Sequence, residues 1–582
     1  MINIVIEVSK YLMILLIAAY TYWNFSYFRF HDPDRQGSVC IRQNITMFLM
    51  HFVAYAVLFL KSEDERVLLF YLAQVIFLAV YMGLYKIFYP KRSRLLVNNM
   101  CMLLCVGFII LTRLDFDKAI RQFVIVAISA LVTWIIPFIL ERVWQLAEIP
   151  WVYGFAGLAL LIVVWVIGNN SFGAQLSVNI AGIAFQPSEF VKILFVFFVA
   201  CMFYRDTEFR TIAETTAMAA AYVLVLVLSK DLGSALIFFL TYLTMLFVAT
   251  GSWLYLFSGL ISGCGASVVA YQLFAHVRTR VAAWKNPWAD IDNRGYQITQ
   301  SLFAIGTGGW FGMGLYQGMP YKIPVVEKDF VFAAISEELG GIFALCVLFV
   351  CLGCFLQFVL LAAQMQALFF QLIAFGLAMV YAVQIFLTVG GVTKFIPSTG
   401  VTLPFVSYGG SSILSTFIIF GVIQGLYILK RNDEEDYDEK TGKRLKEKRT
   451  DRNILFITYV MVGLFVCLMG YFGYFLQVQS ETVINNSYNA RLDSFSDRII
   501  RGEILSSDRT VAKTNVAEDG TEVREYPYGS LFAHVVGYSD QGKTGLESLA
   551  NFYLLSSHMN LVEQAVNELS DVKNLGDQVV TT

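Results

Sequence analysis

The stretch VVEKDFVFAAISEELGG, residues 325–341, carries Glu327, Lys328, Asp329, Glu337 and Glu338 among strongly apolar neighbours. Asp329 has the least ordinary explanation of the five: Phe330, Val331 and Phe332 follow it, and the only cation at close spacing is the flexible Lys328. A solvated loop carboxylate is the plain alternative. Glu337 and Glu338 read as first-turn residues of the next apolar segment, where carboxylates suit a helix N-terminus. Further ionisable groups stand in other polar breaks: Glu189 and Lys192 in QPSEFVK, Asp231 in SKDLGS, Arg278, Arg280, Lys285 and Arg294 in HVRTRVAAWKNPWADIDNRGYQITQS, and Lys394 in KFIPSTGVTLPFVSYGGSS. Arginines fork onto phosphates, and a carboxylate beside them can take a proton from a hydroxyl. Together these types suit transfer from a glycosyl diphosphate, with cations stabilising the leaving group and a base activating the acceptor. Composition does not name the sugar. Plainer roles stay open: Glu189 and Lys192, at i and i+3, can pair merely to seat a helix start, and Asp231, just ahead of Leu232 and Gly233, suits an N-cap.

The elements that must position these residues are membrane spans. Of 582 residues, 57% are hydrophobic and 15% charged, and the apolar runs are mostly long enough to cross a bilayer. The runs lack the ten-residue alternation of an outer-membrane barrel, so the expected fold is all-α and polytopic. Fourteen spans are placed near 5–25, 45–60, 67–89, 95–112, 120–140, 151–167, 189–203, 211–228, 233–250, 252–275, 334–362, 367–389, 411–429 and 453–476. The first is a span and not a cleaved signal, because Glu7 and Lys10 lie near its start and no small-residue cleavage site follows. Basic residues in FRFHDPDRQGSVCIRQ, YPKRSR and 430–452 put those loops in the cytoplasm. Parity then brings 168–188, 229–232, 276–333 and 390–410, with nearly all the unusual polar residues, to the external face. Eight of the nine cysteines lie in apolar runs and the ninth, Cys40, in a short loop; Cys351 and Cys354 form a C-x-x-C read as helix packing. The net charge of −2 says nothing about partners by itself, and no nucleic-acid partner is expected.

FQPSEFVK, DLGSAL, GYQITQSLFAIGTGGWFGMGL, KDFVFAAISEELG and STGVTLPFVSYGGSS, in this order and on this parity, resemble the SEDS family (shape, elongation, division and sporulation; FtsW/RodA/SpoVE) over about residues 95–430. The resemblance implies a ten-span core, preceded here by three extra spans. It also implies a peptidoglycan glycosyltransferase that polymerises lipid II on the outer face of the cytoplasmic membrane and releases undecaprenyl diphosphate. Asp329 in KDFVFAA matches the family's essential aspartate in TDFIFAV, which makes it the expected catalytic carboxylate. Glu189 and Lys192 match the family's QPSE..K, and Asp231 matches PDLGTAL. With Arg278, Arg280, Arg294, Gln300, Glu338, Lys394, Ser407 and Tyr408 they form the expected substrate-binding set. Two departures stand out: the usual GARRWI reads GAQLSV, and Lys328 replaces the Thr before the key Asp. A divalent cation, Mg or Mn, would suit a diphosphate leaving group, but no ligand cluster names one.

Residues 431–452 read as a charged cytoplasmic linker, 453–476 as a membrane anchor, and 477–582 as a small α+β extracytoplasmic segment. The last resembles the pedestal of class B penicillin-binding proteins, with Arg501, Gly502, Ile504, Asp508 and Arg509 matching RG.I.DR across an insertion at Ser506 and Ser507. GKTG at 542–545 belongs to that pedestal, so Lys543 and Thr544 are structural. The only S-x-x-K, Ser570 to Lys573, follows it, the wrong order for a transpeptidase. A class B penicillin-binding protein is therefore the expected partner. Two other classes remain: a transporter of the lipid-linked precursor, with helices broken near Pro187, Gly390 and Gly391, and a non-catalytic cell-wall scaffold.

Overall fold

The computed structural model describes residues 2–581 except 31, 143–147, 168, 172–173, 181–182, 442–450, 487, 493–498, 508, 518–520, 540–543, 558–562, 564–565, 568–569 and 571. Lys543 and Asp508 therefore lie outside the described residues. The architecture is helical, and every expected span falls on helix, although the spans placed at 120–140 and 334–362 are each divided into two. Three helices precede the region of resemblance: α1 (Ile2–Arg29), α2 (Pro33–Ser62) and α3 (Glu65–Phe88). Asp32 and Asp64 cap the second and third by accepting from the backbone N–H two residues on, which fixes tight hairpins between them.

The next helices are α4 (Arg94–Leu114), α5 (Phe116–Thr133), its continuation α6 (Ile136–Arg142) and α7 (Pro150–Ile167). Pro137 cannot donate into the helical ladder, which accounts for the break between α5 and α6 within one span. Short strands β1 (Asn169–Ser171), β2 (Ala174–Ile180) and β3 (Ile183–Phe185) form an antiparallel ribbon, with β2 carrying residues 174–178 of the departure segment. Then come α8 (Ser188–Arg205), α9 (Phe209–Leu228), α10 (Leu232–Thr250), α11 (Trp253–Leu273), the short α12 (Ala275–Lys285) and α13 (Tyr296–Gly308). The core closes with α14 (Val331–Glu338), α15 (Gly341–Gln364), α16 (Leu368–Val392) and α17 (Gly410–Thr441).

Packing is uneven. Helices α4, α15 and α16 are buried along nearly their whole length, whereas α11 buries only Leu256. The extra helices are fastened to the core by polar contacts at membrane depth: Tyr20 donates to Asn99 at 2.9 Å, Asn99 to Asn24 at 2.8 Å, and Tyr55 meets Thr112 at 2.8 Å.

Two expectations are corrected. The span placed at 334–362 begins only at Gly341, because Gly340 adopts φ +94 and a Cβ there would lie 2.5 Å from the Gly312 nitrogen. Glu337 and Glu338 therefore end the separate helix α14, where the negative pole disfavours carboxylates. Gly390 and Gly391 do not break a helix, since α16 runs through them to Val392.

Beyond α18 (Arg452–Tyr474) a π-helical turn leads to α19 (Ser480–Ile484) and a small α+β segment. Its strands are β4 (Ile499–Ile500), β5 (Ile504–Ser506), β6 (Arg509–Val516), β7 (Glu522–Glu525), β8 (Asn574–Leu575) and β9 (Val579–Thr581). They form a sheet ordered β7-β6-β5-β9 and a parallel pair β4-β8. The fully buried Glu547 accepts from Arg501 at 2.7 Å and from Arg524 at 2.9 Å, so the expected RG.I.DR arginine works as a strut. Thr544 precedes the helix Gly545–Leu549, a structural position.

Candidate functional site

The loops at the end of the bundle shared by 229–231, 274–340 and 393–409 bring together residues far apart in sequence. Asp329 precedes α14 and is half-buried. Its segment is pinned from the 393–409 loop: the Ser407 hydroxyl donates to the Lys328 carbonyl, and the Tyr408 N–H donates to the Glu327 carbonyl at 2.7 Å. Lys118 donates to Glu327 at 2.8 Å from the start of α5. Ser407 and Tyr408, expected to bind substrate, here set the backbone that carries Asp329.

Arg280 faces this carboxylate. Its guanidinium donates to the Ser398 carbonyl at 3.2 Å, and Gly400 lies alongside with φ +74. A Cβ on Gly400 would sit 3.6 Å from Asp329 Oδ2 and 3.7 Å from Arg280 Nη2, so the two side chains converge on the space that glycine leaves open. Burial pushes the Asp329 carboxyl up to about 6, with Lys328 and Arg280 holding it back and Glu327 adding to the rise. A carboxylate in that range is ionised at neutral pH yet basic enough to accept a proton in a transition state.

Arg280 also feels Asp231, which continues the polar track towards α8 and α10. Asp231 caps α10, accepting from the Ser234 N–H at 3.0 Å and hydroxyl at 2.7 Å, and from the Ser188 hydroxyl at 3.3 Å. Deeper still, Lys192 donates to Glu189 at 2.6 Å and to Gln384 at 2.7 Å, and Ser415 donates to Glu189 at 2.8 Å. Gln384 in turn donates to the Thr402 carbonyl at 3.0 Å, tying this buried pair to the loop that holds Gly400. Asp329, Arg280, Asp231, Glu189 and Lys192 thus form one connected group, in which the cap and the ion pair also do structural work.

Other expected residues are placed apart from it. Arg278 and Arg294 are exposed, the latter 3.9 Å from Asp290. Lys394 is half-buried, takes φ +63, and accepts from the Trp284 indole through its carbonyl at 3.0 Å. Gln300 and Glu338 lie at the far side of α14, about 12 Å along its axis, engaged by arginines that sequence reasoning missed. Arg113 donates to Glu338 at 2.8 Å and lies over the Tyr316 ring at 4.2 Å. Arg491, fully buried, donates to Glu337 at 2.8 Å, to Gln300 at 2.8 Å and to the Met319 carbonyl at 3.3 Å. These partners answer the unfavourable helix end on which both glutamates sit.

The FtsW/RodA/SpoVE family model, described as a cell cycle protein, matches residues 95–432, more than half of the chain. The chain belongs to that family. A second model, the penicillin binding protein A dimerisation domain, matches residues 501–579. Among curated FtsW/RodA/SpoVE relatives, the peptidoglycan glycosyltransferase RodA of Mycobacterium tuberculosis (strain H37Rv) is 32% identical over 365 residues, 58% of this chain and 78% of that protein. The probable peptidoglycan glycosyltransferase FtsW of Geobacter sulfurreducens (strain PCA) is 33% identical over 294 residues, 48% of this chain and 78% of that protein. A solved chain from a work titled "Structural coordination of polymerization and crosslinking by a peptidoglycan synthase complex" aligns with a TM-score of 0.49 and 25% identity, over 59% of this chain and 98% of that one. The α1–α3 unit lies wholly before the matched FtsW/RodA/SpoVE region.

Among the described residues no group of three or more His, Cys, Asp or Glu stands together as a metal site. Around Asp329 the nearest charged groups are Lys328, Arg280 and Glu327, and Glu327 is already engaged by Lys118. This donor set suits an anion beside one carboxylate better than a resident divalent cation.

Proposed function

We propose that the protein is a peptidoglycan glycosyltransferase that polymerises lipid II into glycan strands at the outer face of the cytoplasmic membrane. The observation that carries this reading is the convergence of Asp329 and Arg280 over Gly400, within a chain of a family whose relatives are named for that activity. Asp329 accepts the proton of the acceptor 4-hydroxyl as its oxygen bonds to the donor's anomeric carbon. The bond from that carbon to the diphosphate breaks, and undecaprenyl diphosphate leaves with the electron pair, its charge met by Arg280. The remaining polar track through Asp231, Glu189 and Lys192 holds the loops that shape the cleft. In this organisation residues 95–430 are the polymerase core, and 477–582 form a pedestal that meets a class B penicillin-binding protein.

Purified protein incubated with lipid II and resolved on gels tests the reading: long glycan strands are expected. Lipid II translocation into vesicles without strands would instead assign the cleft to a transporter.

Two further outcomes follow from the geometry. The initial rate of strand formation should rise with pH through about 6 and then level, because the Asp329 carboxyl, raised by burial, becomes the base only above that value. A rate already flat from pH 5 to 8 would remove Asp329 as the titrating base. Gly400→Val should lower the rate at least tenfold, since its side chain fills the space between Asp329 and Arg280 and strains a backbone at φ +74. The measurement pairs the rate with thermal unfolding, and an unimpaired rate in folded protein would show that substrate passes elsewhere.

A further inference from the structure

At the opposite end of the bundle, two arginines stand together without a counter-charge. Arg92 lies in the turn between α3 and α4, and Arg94 is the first residue of α4. Both flank Cys40 of α2, and each opposes the charge of the other. Arg92 Nη1 reaches the Tyr89 carbonyl only at 3.5 Å, and its Nε is buried with no hydrogen-bond partner. Arg94 Nη1 lies against Gly37, 3.0 Å from where a Cβ would be, so its guanidinium is directed into the crevice between α2 and α4. The nearby carboxylates are taken by other cations: Glu435 by Lys91 at 2.5 Å, and Glu434 by Lys430 at 3.3 Å and Arg431 at 3.9 Å. Among the described residues neither Arg92 nor Arg94 has a carboxylate within ion-pair distance. On the other side of Cys40 a hydrogen-bonded pair of hydroxyls, Tyr27 of α1 and Tyr427 of α17, stands with Arg431 alongside.

We propose that this crevice binds the phosphate of an anionic membrane lipid, with Arg92 and Arg94 forked onto its oxygens and the tyrosine hydroxyls closing the far side. Two like charges, one with a buried orphan N–H, are costly unless an anion completes them. Planar guanidinium groups match a phosphate bidentately, and basic pockets between transmembrane helices hold anionic headgroups. A lipid is favoured over a free ion by what flanks the site. It opens beside the ends of α1 and α2, where Tyr22 is 64% exposed and Arg42 lies over the Trp23 ring at 4.6 Å, the aromatic and basic pattern of a membrane interface. Two of the four walls come from helices that precede the matched family region, so the site belongs to the extra N-terminal unit and its junction with the core.

The test uses the full chain purified in detergent, with phosphatidylglycerol and phosphatidylcholine offered in competition and retained lipid counted by native mass spectrometry. Wild type should retain phosphatidylglycerol preferentially and unfold at a higher temperature with it. Arg94→Gln should weaken retention about fivefold and Arg92→Gln with Arg94→Gln about 25-fold, following the usual contribution of each basic group at a membrane surface. Arg94 is exposed, so its single variant keeps the fold and remains informative if the double variant does not. Arg35→Gln, an exposed arginine beside Asp32, should match wild type. Equal retention by wild type and Arg94→Gln overturns the proposal, as does an equal loss in Arg35→Gln. Stabilisation by inorganic phosphate matching that of the lipid overturns the lipid assignment.

Discussion

Asp329→Asn should abolish strand formation while leaving the protein folded and able to bind lipid II. The amide keeps the size of the side chain but cannot take a proton, and loss of a positioned general base costs about 10² to 10⁴ in rate. The surroundings argue against collapse: the turn segment is held through the carbonyls of Lys328 and Glu327, not through the carboxylate. Removing a half-buried negative charge also removes a desolvation cost, so thermal unfolding should not fall. Gel analysis of products beside a melting curve and a lipid II binding assay separates the outcomes. Full activity in Asp329→Asn would sink the assignment. Loss of binding together with activity would make the residue a substrate ligand and not a base.

Arg491→Ala should be the most damaging single change to stability. Its side chain is 1% exposed and that of Glu337 is 0% exposed, so truncation leaves an uncompensated charge in a dry site, which costs about 3–5 kcal/mol. The Gln300 carbonyl loses its donor as well. Pairing Arg491→Met with Glu337→Gln should recover most of the loss, because the amide oxygen can still accept from the Met319 N–H that now donates to Glu337 at 2.7 Å. The melting temperature of the full chain in detergent is the readout, with strand synthesis measured alongside. A melting temperature unchanged in Arg491→Ala, or no recovery in the pair, would show that Glu337 is stabilised by other groups.

Local relations were legible in the sequence. Glu189 and Lys192 stand at helical spacing and do pair, and Asp231 directly ahead of LGSAL does cap. The spans followed from length and apolarity. What escaped was long-range. Arg491 sits in the polar run NNSYNARLD, whose composition resembles any loop, and its partner is 154 positions away. Gln384 is one amide inside a long apolar run, and nothing in that run signals that Lys192 donates to it. The placement of Glu337 and Glu338 at a span start failed because the run AAISEELGGIFAL looks continuous in hydropathy. Only the backbone of Gly340, packed against Gly312, divides it into two helices.

The two arginine clamps on α14 come from distant parts of the chain: Arg113 from α4 and Arg491 from the segment after α18 and α19. During synthesis Arg113 is present when Glu338 emerges, but Glu337 must wait for residue 491. At ribosomal rates of about 5–20 residues per second, the interval of 154 residues lasts about 8–30 s. Through that interval Glu337 holds only the Met319 N–H, and the helix after Asp329 lacks its second arginine. The second clamp on α14 is thus timed by translation itself, and it closes only once α18 has been inserted and the segment behind it has folded back.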